Sequence, residues 1–101
     1  MTSINLPKLS GSEKQIAWAE QIRSKLVKSY ASIESTLTAT AQSTAALQSY
    51  RAMFESIVSS AYYIENRTDF IPFVNKFFAD AKEKGIVHID REKMEFHFDS
   101  I

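Results

Sequence analysis

The spacing of apolar residues is the strongest constraint on this chain, because it repeats with the period of an α-helix along two long stretches. The first stretch begins after Ser12 and has inward positions at Ile16, Ala19, Arg23, Leu26, Tyr30, Ile33 and Leu37. The second runs from about Ser43 to Asn66 and has Leu47, Tyr50, Phe54, Ile57, Ala61 and Ile64. Steps of three and four predict two amphipathic helices. The Ser/Thr/Ala-rich connection over 35–46 is short, so we expect antiparallel neighbours.

A third helix is predicted from Asp69, its N-cap, to Gly85, which ends it. Pro72 falls in the first turn, where its missing N–H matters least. The apolar face of this helix consists of Phe70, Phe73, Val74, Phe77, Phe78 and Ala81. We expect this face to close the groove between the first two helices.

The tail changes to a period of two, which predicts a β-hairpin with strands at 86–90 and 94–99 and a turn at 90–93. Its apolar side would carry Val87, Ile89, Met94, Phe96 and Phe98. A lone hairpin is marginal in water. It must therefore pack on the helices, pair with the leader over 4–9, or pair with another copy of the chain.

The prediction is a mainly α fold in a single domain over 1–101, with an extended leader (1–11), a three-helix unit (12–84) and a C-terminal β-hairpin (86–99). Twelve basic and twelve acidic residues cancel, which disfavours both a DNA-coating protein and an acidic nucleic-acid mimic. The sequence contains no cysteine, so disulfides and thiolate metal sites are excluded. No signal peptide or membrane span is visible, so we expect a cytoplasmic protein with no membrane partner.

The start of the first helix holds most of the candidate functional residues. Ser12 and Gln15 match a capping box. Arg23 falls inside the apolar arc, where it either extends its charged end to water or is buried against a carboxylate. Glu65 also lies in an apolar arc, but antiparallel pairing places it level with Lys14 and the beginning of the first helix rather than with Arg23.

The same antiparallel pairing places Trp18 level with Tyr62, with Tyr63 pointing further outward and Arg67 beside them. One interpretation is a core rim that the third helix or the hairpin covers. The other is an exposed aromatic–arginine patch, a composition typical of protein interfaces and of platforms for single-stranded nucleic acid.

These two segments resemble a group of small proteins from bacteria and their mobile elements. That group has a Gly-Ser/Thr-x-Lys-Gln-x-x-Trp-Ala-x-x-Ile-Arg box and a later box of a small residue, paired aromatics, Ile, an acidic residue or Asn, and Arg. The matching positions are Gly11, Ser12, Lys14, Gln15, Trp18, Ala19, Ile22, Arg23, Ala61, Tyr62, Tyr63, Ile64, Asn66 and Arg67. Tyrosines stand in the second box where tryptophan or another bulky aromatic is expected, and the hairpin is outside the resemblance. The resemblance implies a mobile-element setting and no particular activity.

Catalytic and cofactor motifs do not occur: there is no P-loop, dinucleotide-binding glycine pattern, zinc motif or nucleophile elbow. We therefore predict no enzymatic activity and no cofactor. His88 and His97 share the polar face of the hairpin with Glu95 and Asp99, and such a set could bind zinc or nickel. Solvated histidines on a strand are far commoner, so we assign no metal.

Two functions remain. The first is a non-enzymatic small helical protein of phage or mobile-element origin that binds another protein, with self-association and modulation of a host system as further expectations. The second is a nucleic-acid-binding accessory protein that stacks bases on Trp18 or Tyr63. Its basic residues would be Lys14, Arg23, Lys25, Lys28 and Arg67. The binding residues shared by both hypotheses are Lys14, Gln15, Trp18, Arg23, Tyr62, Tyr63 and Arg67.

Overall fold

A computed structural model describes residues 4–37 and 41–101. Its elements are α1 (Glu13–Thr36), α2 (Ala41–Ser56), α3 (Ser60–Glu65), α4 (Phe70–Lys84), β1 (Val87–Asp90) and β2 (Glu95–Phe98). The prediction of a mainly α fold with a C-terminal β-hairpin is confirmed. Residues 1–3 of the predicted leader and 38–40 of the predicted connection lie outside the described residues. Within the described part, no helix is both long enough and apolar enough to cross a membrane.

The prediction of one continuous second helix over 43–66 is wrong, because the chain leaves the helix at 57–59 and resumes it as α3. The N–H groups of Val58 and Ser59 donate to the carbonyl of Ile101 at 3.0 and 3.2 Å instead of to a helical turn. The Ser59 hydroxyl then accepts from the N–H of Tyr62 at 3.3 Å and caps α3. The backbone N–H groups that lose their helical partners at the break are therefore bonded by the Ile101 carbonyl and by the N-cap hydroxyl of Ser59.

The leader holds the other side of this break. Ser10 forms a parallel bridge with Ser59. Its N–H donates to the Val58 carbonyl at 2.7 Å, and its carbonyl accepts from the Ser60 N–H at 3.1 Å. The leader thus pairs with the link between α2 and α3 rather than with the hairpin, which was one of the three arrangements predicted.

The beginning of α1 packs on α3, and its second half reaches α2. The capping box of Ser12 and Gln15 is present, as predicted. Ala19 is fully buried, which allows α1 and α3 to approach closely. Further along, Arg51 of α2 donates to the Tyr30 hydroxyl at 2.9 Å, as expected for antiparallel helices.

The core is rich in aromatic residues, and all four helices contribute to it. Tyr63 stacks on Phe73 with centroids 5.6 Å apart, and Tyr62 meets Phe77 edge to face at 6.1 Å. Such pairs contribute about 0.5–1.5 kcal/mol each beyond the burial of their surface. The phenylalanine face of α4 therefore covers α3 and the end of α2, rather than a groove between two continuous helices.

The hairpin packs against the helices, which is one of the three arrangements considered. Phe98 meets the Phe77 ring at 4.9 Å. His88 is opposite His97, and Ile89 is opposite Phe96. The predicted apolar side is only partly covered, because Ile89 is 58% exposed and Met94 is 63% exposed.

Candidate functional site

Trp18 and Arg67 form an exposed pair at the junction of α1 and the α3–α4 loop. Trp18 is 45% exposed, and the Arg67 guanidinium carbon lies 4.8 Å from the centroid of its ring. Arg67 also donates through Nη1 to the Ile64 carbonyl at the end of α3. A cation–π contact at an exposed site is worth about 0.5–1 kcal/mol. These two contacts therefore hold the Arg67 side chain in place against the indole.

The local sequence explains how the two side chains meet. Gly11 lies directly against Ser60, and this close approach brings the first turns of α1 beside α3. Asn66 ends α3, because its backbone N–H and its Nδ2 both donate to the Tyr62 carbonyl, at 3.1 and 2.9 Å. Arg67 follows at once and reaches across to Trp18. The predicted proximity of Trp18 and Arg67 is confirmed.

A shallow groove of about 360 Å³ begins at this pair, and we call it the Trp18 groove. It is lined by Trp18, Ile22, Lys25, Leu26, Arg67, Thr68 and Asp69. Leu26 is buried and Ile22 is half-buried, so they provide an apolar floor. Lys25, Arg67 and Asp69 are exposed at the rim. The groove can accept one apolar side chain while charged groups contact its flanks.

Positive charge prevails around this groove. Lys14 lies four residues before Trp18 and Lys25 seven residues after it, so both occupy the same face of α1 as the indole. Arg67 is a third cation at this site, and Asp69 is the one carboxylate among the residues that line the groove. Among the described residues, none of these four charged side chains takes part in an ion pair. Their charge is therefore available to a ligand.

Tyr62 and Tyr63 do not belong to the exposed surface, and the expectation that Tyr63 points outward is wrong. Tyr63 is fully buried and Tyr62 nearly so. Burial raises the pKa of both hydroxyls, assisted at Tyr62 by its hydrogen bond to Asp80. The physical reason is the break before α3, which resets the helical phase and turns both rings into the core.

Gln15 and Arg23 are occupied by internal contacts. Gln15 Oε1 accepts from the Ser12 N–H at 3.0 Å within the capping box. Arg23 is half-buried, and its Nη1 donates to the Pro7 carbonyl at 2.7 Å. This is neither of the two arrangements predicted, because the leader supplies a backbone acceptor that the sequence pattern could not reveal. Glu65 is exposed and has no ion pair with Lys14 or Arg23 within the described residues.

The hairpin histidines lie beside different carboxylates. His88 Nε2 is 3.1 Å from Asp99 Oδ2, and His97 Nε2 is 3.5 Å from Glu95 Oε2. All four side chains are at least partly exposed. In the part of the chain that the structure describes, no three His, Asp or Glu side chains are grouped so that they could hold a metal ion.

Five groove residues were not among the binding residues predicted for both functions: Ile22, Lys25, Leu26, Thr68 and Asp69. The signal for the first three was their spacing, because they follow Trp18 by four, seven and eight residues on one helical face. The signal for Asp69 was weaker, because it was expected to cap α4. It occupies the N-cap position, yet its side chain makes no capping hydrogen bond.

The chain matches no family model, no curated protein and no solved structure.

Proposed function

We propose that this protein is a non-enzymatic binding module that recognises an acidic segment of another protein through the Trp18 groove. The observation that carries this proposal is the exposed indole of Trp18 with the Arg67 guanidinium against its ring. Tryptophan and arginine are the residues most enriched among those that dominate binding energy at protein interfaces. Here they lie next to an apolar floor, which completes the composition of such an anchor site.

Preorganisation strengthens the case for this pair. The Arg67 guanidinium is held by two contacts, since Nη1 donates to the Ile64 carbonyl and the group lies over the indole of Trp18. Ordering a long, rotamer-rich side chain on binding costs about 0.5–1.5 kcal/mol. Much of that ordering is already complete in the free protein, so more of the interaction free energy remains for the partner.

The chemistry of the partner follows from the charges around the groove. Lys25 and Arg67 line the site with Asp69 as the one lining carboxylate, and Lys14 lies on the same face of α1. Complementary charge steers association and selects partners. Ile22 and Leu26 offer an apolar surface to one inserted side chain. The best fit is a segment in which an apolar or aromatic residue is flanked by aspartate or glutamate.

A protein fits this surface better than a nucleic acid does. Base stacking was expected on Trp18 or Tyr63, but Tyr63 is buried and one face of the Trp18 ring already meets Arg67. Arg23, one of the expected phosphate contacts, is half-buried and bound to the Pro7 carbonyl. A single partly covered aromatic ring beside the four remaining cations, Lys14, Lys25, Lys28 and Arg67, gives little platform for a strand. In the setting that the sequence resemblance implies, the partner would be a protein of the bacterial host in its cytoplasm.

A selection from a random peptide library tests this proposal. We expect peptides that bind the protein to be enriched in acidic residues around one apolar or aromatic residue. Trp18→Ala removes the anchor, and we expect it to weaken binding of the selected peptides at least tenfold, about 1.4 kcal/mol.

Leu37→Ala is the matched control, because Leu37 is a comparably exposed apolar residue (43%) at the opposite end of α1. It should leave peptide binding unchanged. Peptides without acidic enrichment, or equal effects of the two substitutions, would contradict the proposal. Tight binding of single-stranded DNA or RNA that depends on Trp18 and falls steeply with salt would favour nucleic acid instead.

A further inference from the structure

The two edges of the hairpin differ in how they are covered. On β2, the Gln48 side chain donates through Nε2 to the Phe96 carbonyl at 2.8 Å, and its Oε1 accepts from the Phe96 N–H at 2.6 Å. A side-chain amide offers the same donor and acceptor as a peptide group. Gln48 therefore takes the place of a third strand at this position.

The outward backbone groups of β1 follow from the same contact. Ile89 is opposite Phe96. Because the N–H and C=O of Phe96 turn away toward Gln48, this is a non-hydrogen-bonded pair, and the N–H and C=O of Ile89 also point away from the hairpin. Because the direction of the backbone groups alternates along a strand, the N–H and C=O of Val87 also point away from the hairpin. The carbonyl of Ile86 points inward and accepts from the Asp99 N–H at 3.0 Å.

Nothing on the described chain covers this second edge. Among the described residues, no group bonds to the outward N–H and C=O of Val87 and Ile89. Proteins protect a free edge by keeping the strand very short or by placing charged side chains, proline or a bulge on it, and β1 has the first of these protections, with four residues. The β1 sequence Val-His-Ile-Asp has neither proline nor lysine, and its pairing with β2 is continuous.

We propose that β1 pairs with β1 of a second copy of this chain, so that the two hairpins form one four-stranded antiparallel sheet. A two-fold axis at His88 places Val87 of each copy opposite Ile89 of the other. Both residues point their backbone groups outward, so this register forms four hydrogen bonds and satisfies every exposed group of the two residues. It also pairs two apolar side chains, one of which is the exposed Ile89.

The charges of the strand suit this self-pairing. In the proposed register, Asp90 of one copy is opposite Ile86 of the other. The two Asp90 carboxylates are then four residues apart along the sheet, about 14 Å at the usual rise of a strand. The two His88 side chains are adjacent on the polar face, and each retains its own Asp99 at 3.1 Å. No pair of like-charged carboxylates opposes the association.

This surface is independent of the Trp18 groove. The groove is built from α1 and the α3–α4 loop and contains no hairpin residue. Loss of self-association would therefore leave peptide binding in place, and loss of peptide binding would leave self-association in place.

Sedimentation velocity over a concentration series tests the proposal on the full chain. The wild type should show a concentration-dependent equilibrium between monomer and dimer. Ile89→Pro removes an N–H that points outward, so no hydrogen bond within the hairpin is lost. Proline is tolerated at such edge positions. Ile89→Lys keeps the backbone and adds charge to the edge. Both variants should sediment as monomers at every concentration.

Ile71→Lys is the matched control, because Ile71 on α4 is 52% exposed and the change in charge is the same. It should dimerise like the wild type. A wild type that remains monomeric at its highest soluble concentration, or an Ile89→Lys variant that dimerises as strongly as the control, would overturn the proposal.

Amide hydrogen exchange locates the contact and does not depend on any variant. Raising the protein concentration should slow exchange at the N–H groups of Val87 and Ile89, which point outward. The N–H groups of His88 and Asp90 bond within the hairpin and should show no change. A dimer that leaves Val87 and Ile89 unprotected would use another surface and would refute the proposed pairing. Protection that appears only when a foreign peptide is added would do the same.

Discussion

Replacement of Gly11 by alanine should be among the most damaging small changes in this chain. The φ angle of Gly11 is +134°, which L-residues with a side chain rarely adopt. A Cβ built there would lie 2.9 Å from Gln15 Oε1 and 3.3 Å from Ser60 Cβ. The added methyl group would therefore strain the backbone, disturb the capping box and push α1 away from α3.

The size of the effect can be worked out from these contacts. Backbone strain of this kind costs about 1–3 kcal/mol. Loss of the N-terminal cap interaction adds about 1 kcal/mol. Alanine gives the unfolded chain less conformational entropy than glycine does, which offsets about 0.4–1 kcal/mol of the loss in stability. We expect a net loss of about 2–3 kcal/mol from a free energy of unfolding that is typically about 5–15 kcal/mol.

Gly85→Ala is the matched control. Gly85 also has a positive φ, +68°, but nothing lies within 4 Å of its virtual Cβ. It should therefore show only the strain of a left-handed residue, about 1 kcal/mol. Urea denaturation gives both values, and the slope with denaturant should not change. If Gly11→Ala destabilises the protein no more than Gly85→Ala, the close junction of α1 and α3 described here is wrong.

Two further predictions concern the tyrosines of α3 and their acidic neighbour. Tyr62→Phe removes a 2.8 Å bond to Asp80 and should lower the free energy of unfolding by about 1–3 kcal/mol. Tyr63→Phe should leave the free energy of unfolding unchanged or raise it by about 1 kcal/mol, because the buried Tyr63 hydroxyl has no partner among the described residues. Denaturant titrations measure both variants, and equal losses of stability would contradict both predictions. Hydrogen bonds from Lys76 and then Tyr62 lower the pKa of Asp80, so the stabilisation by its carboxylate is complete above the ordinary carboxyl pKa and is lost as the pH falls through the lowered value. Carboxyl NMR titrations should show a higher pKa for Asp80 in Lys76→Met, and an unchanged value would refute the role of Lys76.

The elements that the sequence predicted correctly are those fixed by local signals. Ser12 and Gln15 mark the beginning of α1, and both sides of the capping box are present. Asp69 precedes α4, and Gly85 ends it with a left-handed φ of +68°. In each case the residues that decide the boundary lie within a few positions of it, so pattern and structure agree.

The break between α2 and α3 could not be predicted in the same way, because distant residues hold it. Val58 and Ser59 donate to Ile101, and Ser10 pairs from the other side. No glycine or proline marks the site. Ser59 was the one local signal, since a serine before Ala61 and Tyr62 can cap a new helix.

The consequences of the break for the candidate site are uneven. The break changes the rotation of α3 about its axis more than it changes the position of α3 along α1. The predicted proximity of Trp18 and Arg67 therefore holds, while Tyr62 and Tyr63 turn into the core. Antiparallel pairing of the helices was enough to predict that Trp18 and Arg67 lie close together. The exposure of each aromatic ring depended on the rotation of α3 about its axis, which the sequence did not reveal.

The central claim is that a partner covers Trp18, and Trp18 is the one tryptophan in the chain. Its fluorescence can therefore be measured during titration with an acidic peptide from the library selection. Saturation should shift the emission to shorter wavelength and reduce quenching by iodide, and Arg67→Ala should weaken the titrated affinity at least tenfold, about 1.4 kcal/mol. If the peptide binds while emission and quenching remain those of the free protein, the partner occupies another surface and the claim is wrong.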